Sequence, residues 1–169
     1  SLTYDITAWS LPYAYGLDAV ASKREVSSEN IADRPEIKNT PQPSGAGYIT
    51  KWNSMQDAQF LAALLKEGIK VRFSEVPFEN DGKKFDRGSL VITKSDNRSL
   101  EDFDEKLIRL ANEHQRELLA ATTSFAGNGP DICSPEIKVV DTPEIAVISG
   151  DRTSSLNYGE IWYFFEQEL

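Results

Sequence analysis

The chain has 169 residues, of which 40% are hydrophobic and 27% are charged. These proportions are typical of one globular domain with a core of its own, and they argue against a wholly disordered chain. The formal net charge of -9 disfavours nucleic acid as a partner, because an acidic protein repels phosphate backbones. Cys133 is the single cysteine, so neither an internal disulfide nor a Cys-based zinc site can form within the chain.

Both ends of the chain lack the usual boundary signals. The chain begins without Met or a signal peptide, and its last residues, 164–169, have no C-cap pattern. No apolar run is long enough to cross a membrane. We therefore expect a piece cut from a longer protein, with no membrane span.

The first part of the chain, residues 1–46, predicts an N-terminal segment and a polar linker. A short helix is predicted near residues 11–20, and a long loop follows from Ser22, rich in proline and charge. Residues 47–169 predict an α/β domain, although one compact domain over the whole chain is an alternative. Trp9, Tyr13 and Tyr15 are predicted to contact a neighbouring domain.

The middle of the chain alternates strand and helix patterns. Residues 48–52 predict a strand, Ser54 and Asp57 have the spacing of a helix capping box, and residues 69–73 predict the next strand. This order indicates a βαβ unit. Residues 76–85 predict a hairpin, because Asp81 and Gly82 form a typical two-residue turn.

The remaining pattern continues the alternation. Residues 89–93 predict a strand, and Ser99 with Asp102 repeats the capping-box spacing before a helix with leucines on one face. Short strands are predicted at residues 122–125, 137–140 and 145–148, and an amphipathic helix at residues 156–169. The order predicts an α/β fold in three layers: a mostly parallel sheet with helices on both faces, as in flavodoxin-like proteins.

The pair His114 and Glu117 has the His-x-x-Glu spacing of some zinc ligands. A catalytic zinc needs three protein ligands, and the chain has no second histidine. The alternative interpretation is a histidine at the edge of the core followed by a surface glutamate, and we prefer it. Cys133 lies in a proline-bracketed loop and not in a nucleophile elbow, so we interpret it as a loop cysteine.

The turn between the strand at 145–148 and the last helix is the best candidate ligand site. A turn at the carboxyl end of a strand presents free N–H groups to a ligand, which makes Gly150, Asp151, Ser154 and Ser155 candidates. The alternative is simple N-capping of the helix by Ser154 or Ser155. Exposed aromatic residues, Trp52 and Trp162 among them, could instead stack on a carbohydrate or a peptide.

Two segments resemble a known family. Residues 4–17 (YDITAWSLPYAYGL) and 145–162 (IAVISGDRTSSLNYGEIW) are similar to segments of large bacterial zinc carboxypeptidases, and a looser likeness covers the Gly82 to Val91 region between them. The first segment follows the catalytic domain in such proteins. The second resembles the start of a class I glutamine-amidotransferase-like fold.

The resemblance implies an exported parent, periplasmic or extracellular, that hydrolyses peptides with one zinc ion. The family's zinc ligands and its catalytic glutamate belong to the catalytic domain, which is expected upstream of this chain, so none of them is carried over. The amidotransferase cysteine has no counterpart in the 148–155 turn. The chain is thus expected to be a non-catalytic accessory domain without a cofactor, with zinc held by the catalytic domain of the same polypeptide as its partner. The alternative is a module that binds a small molecule, a carbohydrate or a peptide.

Overall fold

The computed structural model describes residues 19–25 and 35–167. The chain divides into two compact units, Ser1–Pro35 and Glu36–Leu169, and the second carries every element described below. Trp9, Tyr13, Tyr15 and most of the predicted helix near residues 11–20 lie outside the described residues. The predictions made for them therefore remain predictions.

Seven strands and three helices are found among the described residues of the second unit. In chain order they are β1 (Gly47–Thr50), α1 (Met55–Lys66), β2 (Arg72–Ser74), β3 (Phe78–Asn80), β4 (Lys83–Phe85), β5 (Leu90–Thr93), α2 (Phe103–Glu113), β6 (Leu119–Ala121), β7 (Ile137–Val139) and α3 (Ser155–Gln167).

Five strands form one sheet in the order β6-β1-β5-β2-β7, and β3 pairs with β4 in a separate hairpin. Every adjacent pair is antiparallel. Strands β1 and β2, joined through α1, run in the same direction, but β5 lies between them. Strands β5 and β6, joined through α2, are likewise separated by β1. This is the split βαβ arrangement of ferredoxin-like folds, with a hairpin inserted before the third strand and β7 added at one edge.

The predicted fold class, a three-layer and mostly parallel flavodoxin-like or glutamine-amidotransferase-like α/β fold, is wrong. A βαβ pattern shows that two strands point the same way, but it does not show whether a third strand is inserted between them. The central strands β1 and β5 are buried along their whole length, as in a parallel sheet covered by helices. Here the second face is covered by the hairpin and a loop instead of helices.

The helices α1 and α2 cover one face of the sheet. Their apolar residues pack with those of alternate strand positions into one core. Its fully buried members include Tyr48, Phe60, Leu64, Ile92 and Leu107.

The opposite face of the sheet carries a second, smaller core. Ile49 and Val91 point to this side and pack with Phe78 and Phe85 of the hairpin and with Ile132 of the following loop. The two phenylalanine rings stack with centroids 5.1 Å apart. The hairpin therefore takes the place that a second layer of helices has in a parallel sheet.

Several local predictions are confirmed. Ser54 and Asp57 form the capping box of α1, and the carboxylate of Asp57 accepts the N–H of Ser54 at 2.6 Å. The hairpin turns at Asp81 and Gly82, whose φ angles of 48° and 71° are the positive pair that a tight two-residue turn requires. The predicted strands at 89–93 and 137–140 correspond to β5 and β7.

Three local predictions are wrong. Helix α2 begins only after Asp102, which has a left-handed φ of 57° and makes no capping bond, so Ser99 and Asp102 do not form a capping box. The strand expected at residues 122–125 lies earlier, at β6, where it pairs with β1. Residues 145–148 form no strand within the described part of the chain.

Candidate docking surface

Helix α3 exposes its apolar residues to solvent. None of its described residues is buried, although most are hydrophobic. The exposed large apolar side chains are Leu156, Tyr158, Ile161, Trp162, Tyr163, Phe164 and Phe165, and half of Trp162 is accessible. Monomeric proteins seldom leave so continuous an apolar patch uncovered, and such patches mark interaction sites.

The segment before α3 adds to this surface. Ile145 and Val147 line an open groove of 350 Å³ together with Tyr158, Trp162 and Phe165. Ile148 is 82% exposed. Among the described residues, the backbone groups of residues 142–149 have no hydrogen-bonding partner in another segment. The short buried strand expected here is therefore an exposed segment without regular secondary structure. We call residues 143–148 together with α3 the apolar hairpin.

The candidate ligand turn joins the two parts of the apolar hairpin, and its hydrogen bonds are made within the turn and the start of α3. Gly150 has a φ of 129°, and its carbonyl accepts hydrogen bonds from the N–H and the hydroxyl of Thr153, at 3.0 and 2.8 Å. Ser154 accepts the N–H of Asn157 at 3.4 Å, which is the geometry of an N-cap. Asp151, Ser154 and Ser155 are exposed. No residue of this turn lines the groove of 350 Å³.

The charges near the apolar hairpin are almost all acidic. Between residues 141 and 167 the acidic side chains are Asp141, Glu144, Asp151, Glu160 and Glu166, against one base, Arg152. A partner that covers the apolar residues would therefore bind more favourably if it carried basic side chains at the rim of the contact.

A second apolar groove, of 290 Å³, lies beside β2 and β5. Its walls are Trp52, Leu61, Phe73, Leu90 and Val140, and the indole of Trp52 lies over Gly88. Trp52 is 39% exposed. The sequence predicts that Trp52 could stack on a ligand, but it indicates Phe73 only as part of a strand.

His114 is the C-cap residue of α2 and not a mid-helix residue. Its ring lies against Phe60, with centroids 6.0 Å apart, while Glu117 is exposed. The half-buried ring and the exposed carboxylate correspond to the expected placement of His114 at the edge of the core and of Glu117 at the surface. Among the described residues, no three His, Cys, Asp or Glu side chains are grouped as metal ligands.

Cys133 is an exposed loop residue, as predicted. It borders an open groove of 470 Å³ whose other walls include the hydroxyl groups of Thr93, Ser95, Thr122 and Ser124. The groove lies where β5 and β6 end. The residues that line it carry no charge.

No helix of the described residues has the length and apolar character needed to span a bilayer. Comparison with known proteins finds no matching family model, no similar curated protein and no similar solved structure.

Proposed function

We propose that this chain is a non-catalytic accessory domain of an exported zinc-carboxypeptidase-like protein, and that it docks onto the catalytic domain of the same polypeptide. The observation that carries the docking role is the apolar hairpin, in which Ile145, Val147 and Trp162 line a surface left open to solvent. The carboxypeptidase assignment comes from the resemblance of residues 4–17 and 145–162. Zinc and the residues that hydrolyse the peptide would belong to the catalytic domain.

The physical reason for docking is the free energy of apolar burial. Covering apolar surface contributes about 25 cal/mol per Å², so several large side chains brought together contribute a substantial driving force. The unpaired backbone groups of residues 142–149 add a requirement for hydrogen-bond partners, because a covered N–H or C=O without a partner costs free energy. A partner that supplies both an apolar surface and strand-like backbone groups satisfies the two needs together.

The test compares Trp162 with Trp52 in this chain and in a longer polypeptide that includes the catalytic domain. Hydroxyl-radical footprinting should show several-fold less oxidation of Trp162 in the longer polypeptide, while Trp52 serves as the internal reference. Equal oxidation of Trp162 in the two samples would contradict the docking role.

Metal content and peptidase activity test the non-catalytic assignment. We expect zinc and activity in the longer polypeptide and neither in this chain. Stoichiometric zinc in this chain that disappears in His114→Ala would overturn the assignment, because His114 is the only histidine available. His114 lies against Phe60, so Phe60→Leu is a control that disturbs the same region without removing a ligand.

A second candidate function, binding of an apolar peptide side chain, is favoured by the Trp52 groove. Two aromatic walls, Trp52 and Phe73, enclose an apolar space that suits one large side chain. Titration with short peptides that differ in one aromatic residue, followed by Trp fluorescence, would test this role. Trp52→Ala should abolish any response, and Trp162→Ala should leave it unchanged.

A further inference from the structure

Residues 36–40, which we call the strap, run past the C-terminal end of α2. The side-chain amide of Gln115 accepts the N–H of Ile37 at 2.9 Å and donates to the carbonyl of Ile37 at 3.3 Å. The side-chain amide of Asn112 accepts the N–H of Asn39 at 2.7 Å and donates to the carbonyl of Asn39 at 3.1 Å. Each amide thus satisfies both backbone groups of one strap residue.

The two amides bind the strap as a neighbouring β-strand would. They bind alternate residues, 37 and 39, and leave Lys38 exposed between them, which is the alternation of an extended chain. Donor and acceptor groups of the main chain are common to every peptide. These contacts therefore select an extended conformation and not a particular side chain.

The side chain of Asn39 adds selectivity to this contact. Its amide nitrogen donates to the carbonyl of Arg116 at 2.8 Å and to Oδ1 of Asn112 at 2.9 Å. Its oxygen accepts the N–H of the buried Leu118 at 2.8 Å. An aspartate would lack the donor and an alanine would lack both groups, so this position favours asparagine. Ile37, at the other bound position, is half-buried.

Gln115 and Arg116, on the receiving side, are also held by contacts outside the strap. Gln115 has a left-handed φ of 53°, a conformation that costs a residue with a side chain about 1 kcal/mol and persists where the surroundings impose it. Its side chain is further fixed by a bond of 2.7 Å from Nε2 to the carbonyl of Asn112. Arg116, the next residue, is anchored by Asp57 at 3.0 Å.

We propose that Asn112 and Gln115 form a binding site for an extended peptide of sequence Ile-X-Asn, and that this chain occupies the site with its own residues 37–39. The contacts on the strap side are polar, and Glu36, Lys38 and Thr40 are exposed. An extended segment of another polypeptide with the same pattern can therefore take the place of the strap. The covalent connection gives the strap an effective concentration of about millimolar, so displacement needs a weakened strap or a concentrated competitor.

The experiment uses a synthetic peptide with blocked ends that copies residues 36–42, EIKNTPQ. It is titrated into the full chain and into Asn39→Ala, whose strap has lost the asparagine contacts. Binding should be roughly tenfold tighter to Asn39→Ala than to the unmodified chain, because the weakened strap competes less well. A peptide with alanine at the asparagine position should bind at least roughly tenfold more weakly to both proteins.

Asn112→Ala in the Asn39→Ala background is the matched control, and it should abolish binding of the peptide. Ile37→Pro is a second strap variant, which removes the N–H that Gln115 accepts; it replaces Asn39→Ala if that protein does not fold. Native-state hydrogen exchange of the unmodified chain should show protection at the N–H groups of Ile37 and Asn39. Failure of the peptide to bind either strap variant, equal binding with and without Asn112, or unprotected amides at Ile37 and Asn39 would each overturn the proposal.

Discussion

The carboxylate of Asp57 and the guanidinium of Arg116 form an ion pair of 3.0 Å that joins the N-terminus of α1 to the loop between α2 and β6. Both side chains are largely buried. Asp57 also accepts the N–H groups of Asn53 and Ser54, and Arg116 donates to Ser54. One carboxylate thus caps a helix and holds together two parts of the chain that are far apart in sequence.

Removing this carboxylate should destabilise the domain strongly. Asp57→Ala leaves the guanidinium of Arg116 without its charged partner and two N–H groups of the helix start without an acceptor. We expect the free energy of unfolding to fall by about 3 kcal/mol. Urea denaturation measures the change. Glu113→Ala is the control, because its pair with Arg109 is exposed and screened by solvent and should contribute little. Equal losses in the two variants would contradict the structural role of Asp57.

Acid should destabilise the domain through two aspartates. Burial raises the pKa of Asp57, but hydrogen bonds from Asn53, Arg116 and Ser54 outweigh it and hold the pKa below the ordinary value of 3.8. The hydrogen bond from the Arg72 guanidinium is the main cause that lowers the pKa of Asp96 below the same value. Both carboxylates therefore bind protons more weakly in the folded chain than in the unfolded one.

The stabilisation from these groups is complete above the unfolded pKa and is lost as the pH falls through the lower, folded pKa values. Unfolding by urea, repeated from neutral pH to about pH 2, should show a free energy of unfolding that begins to decline at about pH 4. Asp57→Asn and Asp96→Asn should each make the decline shallower, since each removes one titrating group. A stability profile that is flat below about pH 4, or unchanged by both substitutions, would contradict this assignment.

Local structure could be predicted from the sequence where neighbouring residues determine it. The capping box of Ser54 and Asp57 and the turn at Asp81 and Gly82 depend on residues next to one another, and both are as expected. The partners of the same side chains could not be predicted. Arg116 binds Asp57 from a distant part of the chain, and no spacing rule connects the two.

The fold class was mispredicted because strand order is a long-range property. The buried runs of β1 and β5 look alike whether helices or a hairpin cover the second face.

The peptide-binding amides could not be predicted from the sequence for a similar reason. Asn112 and Gln115 look like ordinary polar residues at the end of a helix, and only the structure brings them to Ile37 and Asn39. For the Trp52 groove, the sequence contains one indication, which is the aromatic residue Trp52 itself.

The start of β1 leaves no space for a side chain at Gly45. A Cβ there would overlap the carbonyl oxygen of Thr122, a backbone atom directly after β6. Gly45→Ala should therefore reduce the free energy of unfolding by about 1–3 kcal/mol. Gly159→Ala is the matched control, because Gly159 lies in α3 with open space around it. Alanine there should favour the helix by about 1 kcal/mol. Thermal unfolding followed by circular dichroism distinguishes the two, and equal stability of the variants would contradict the close approach at Gly45.

The exposed face of α3 should contribute little to the stability of the core. A surface that this chain needed for its own folding would contribute much more. Trp162→Ser removes a half-exposed indole and should change the free energy of unfolding by no more than about 0.5 kcal/mol. Phe60→Ala, which empties a fully buried position between α1 and the sheet, should cost about 4 kcal/mol. Both changes replace an aromatic residue with a small one, so the difference reports burial within this chain alone.

The same Trp162→Ser substitution in the longer polypeptide should cost more than in this chain, because there the indole would be covered by the catalytic domain. If the costs in the two proteins are equal and small, Trp162 is not covered by that domain and the docking assignment fails.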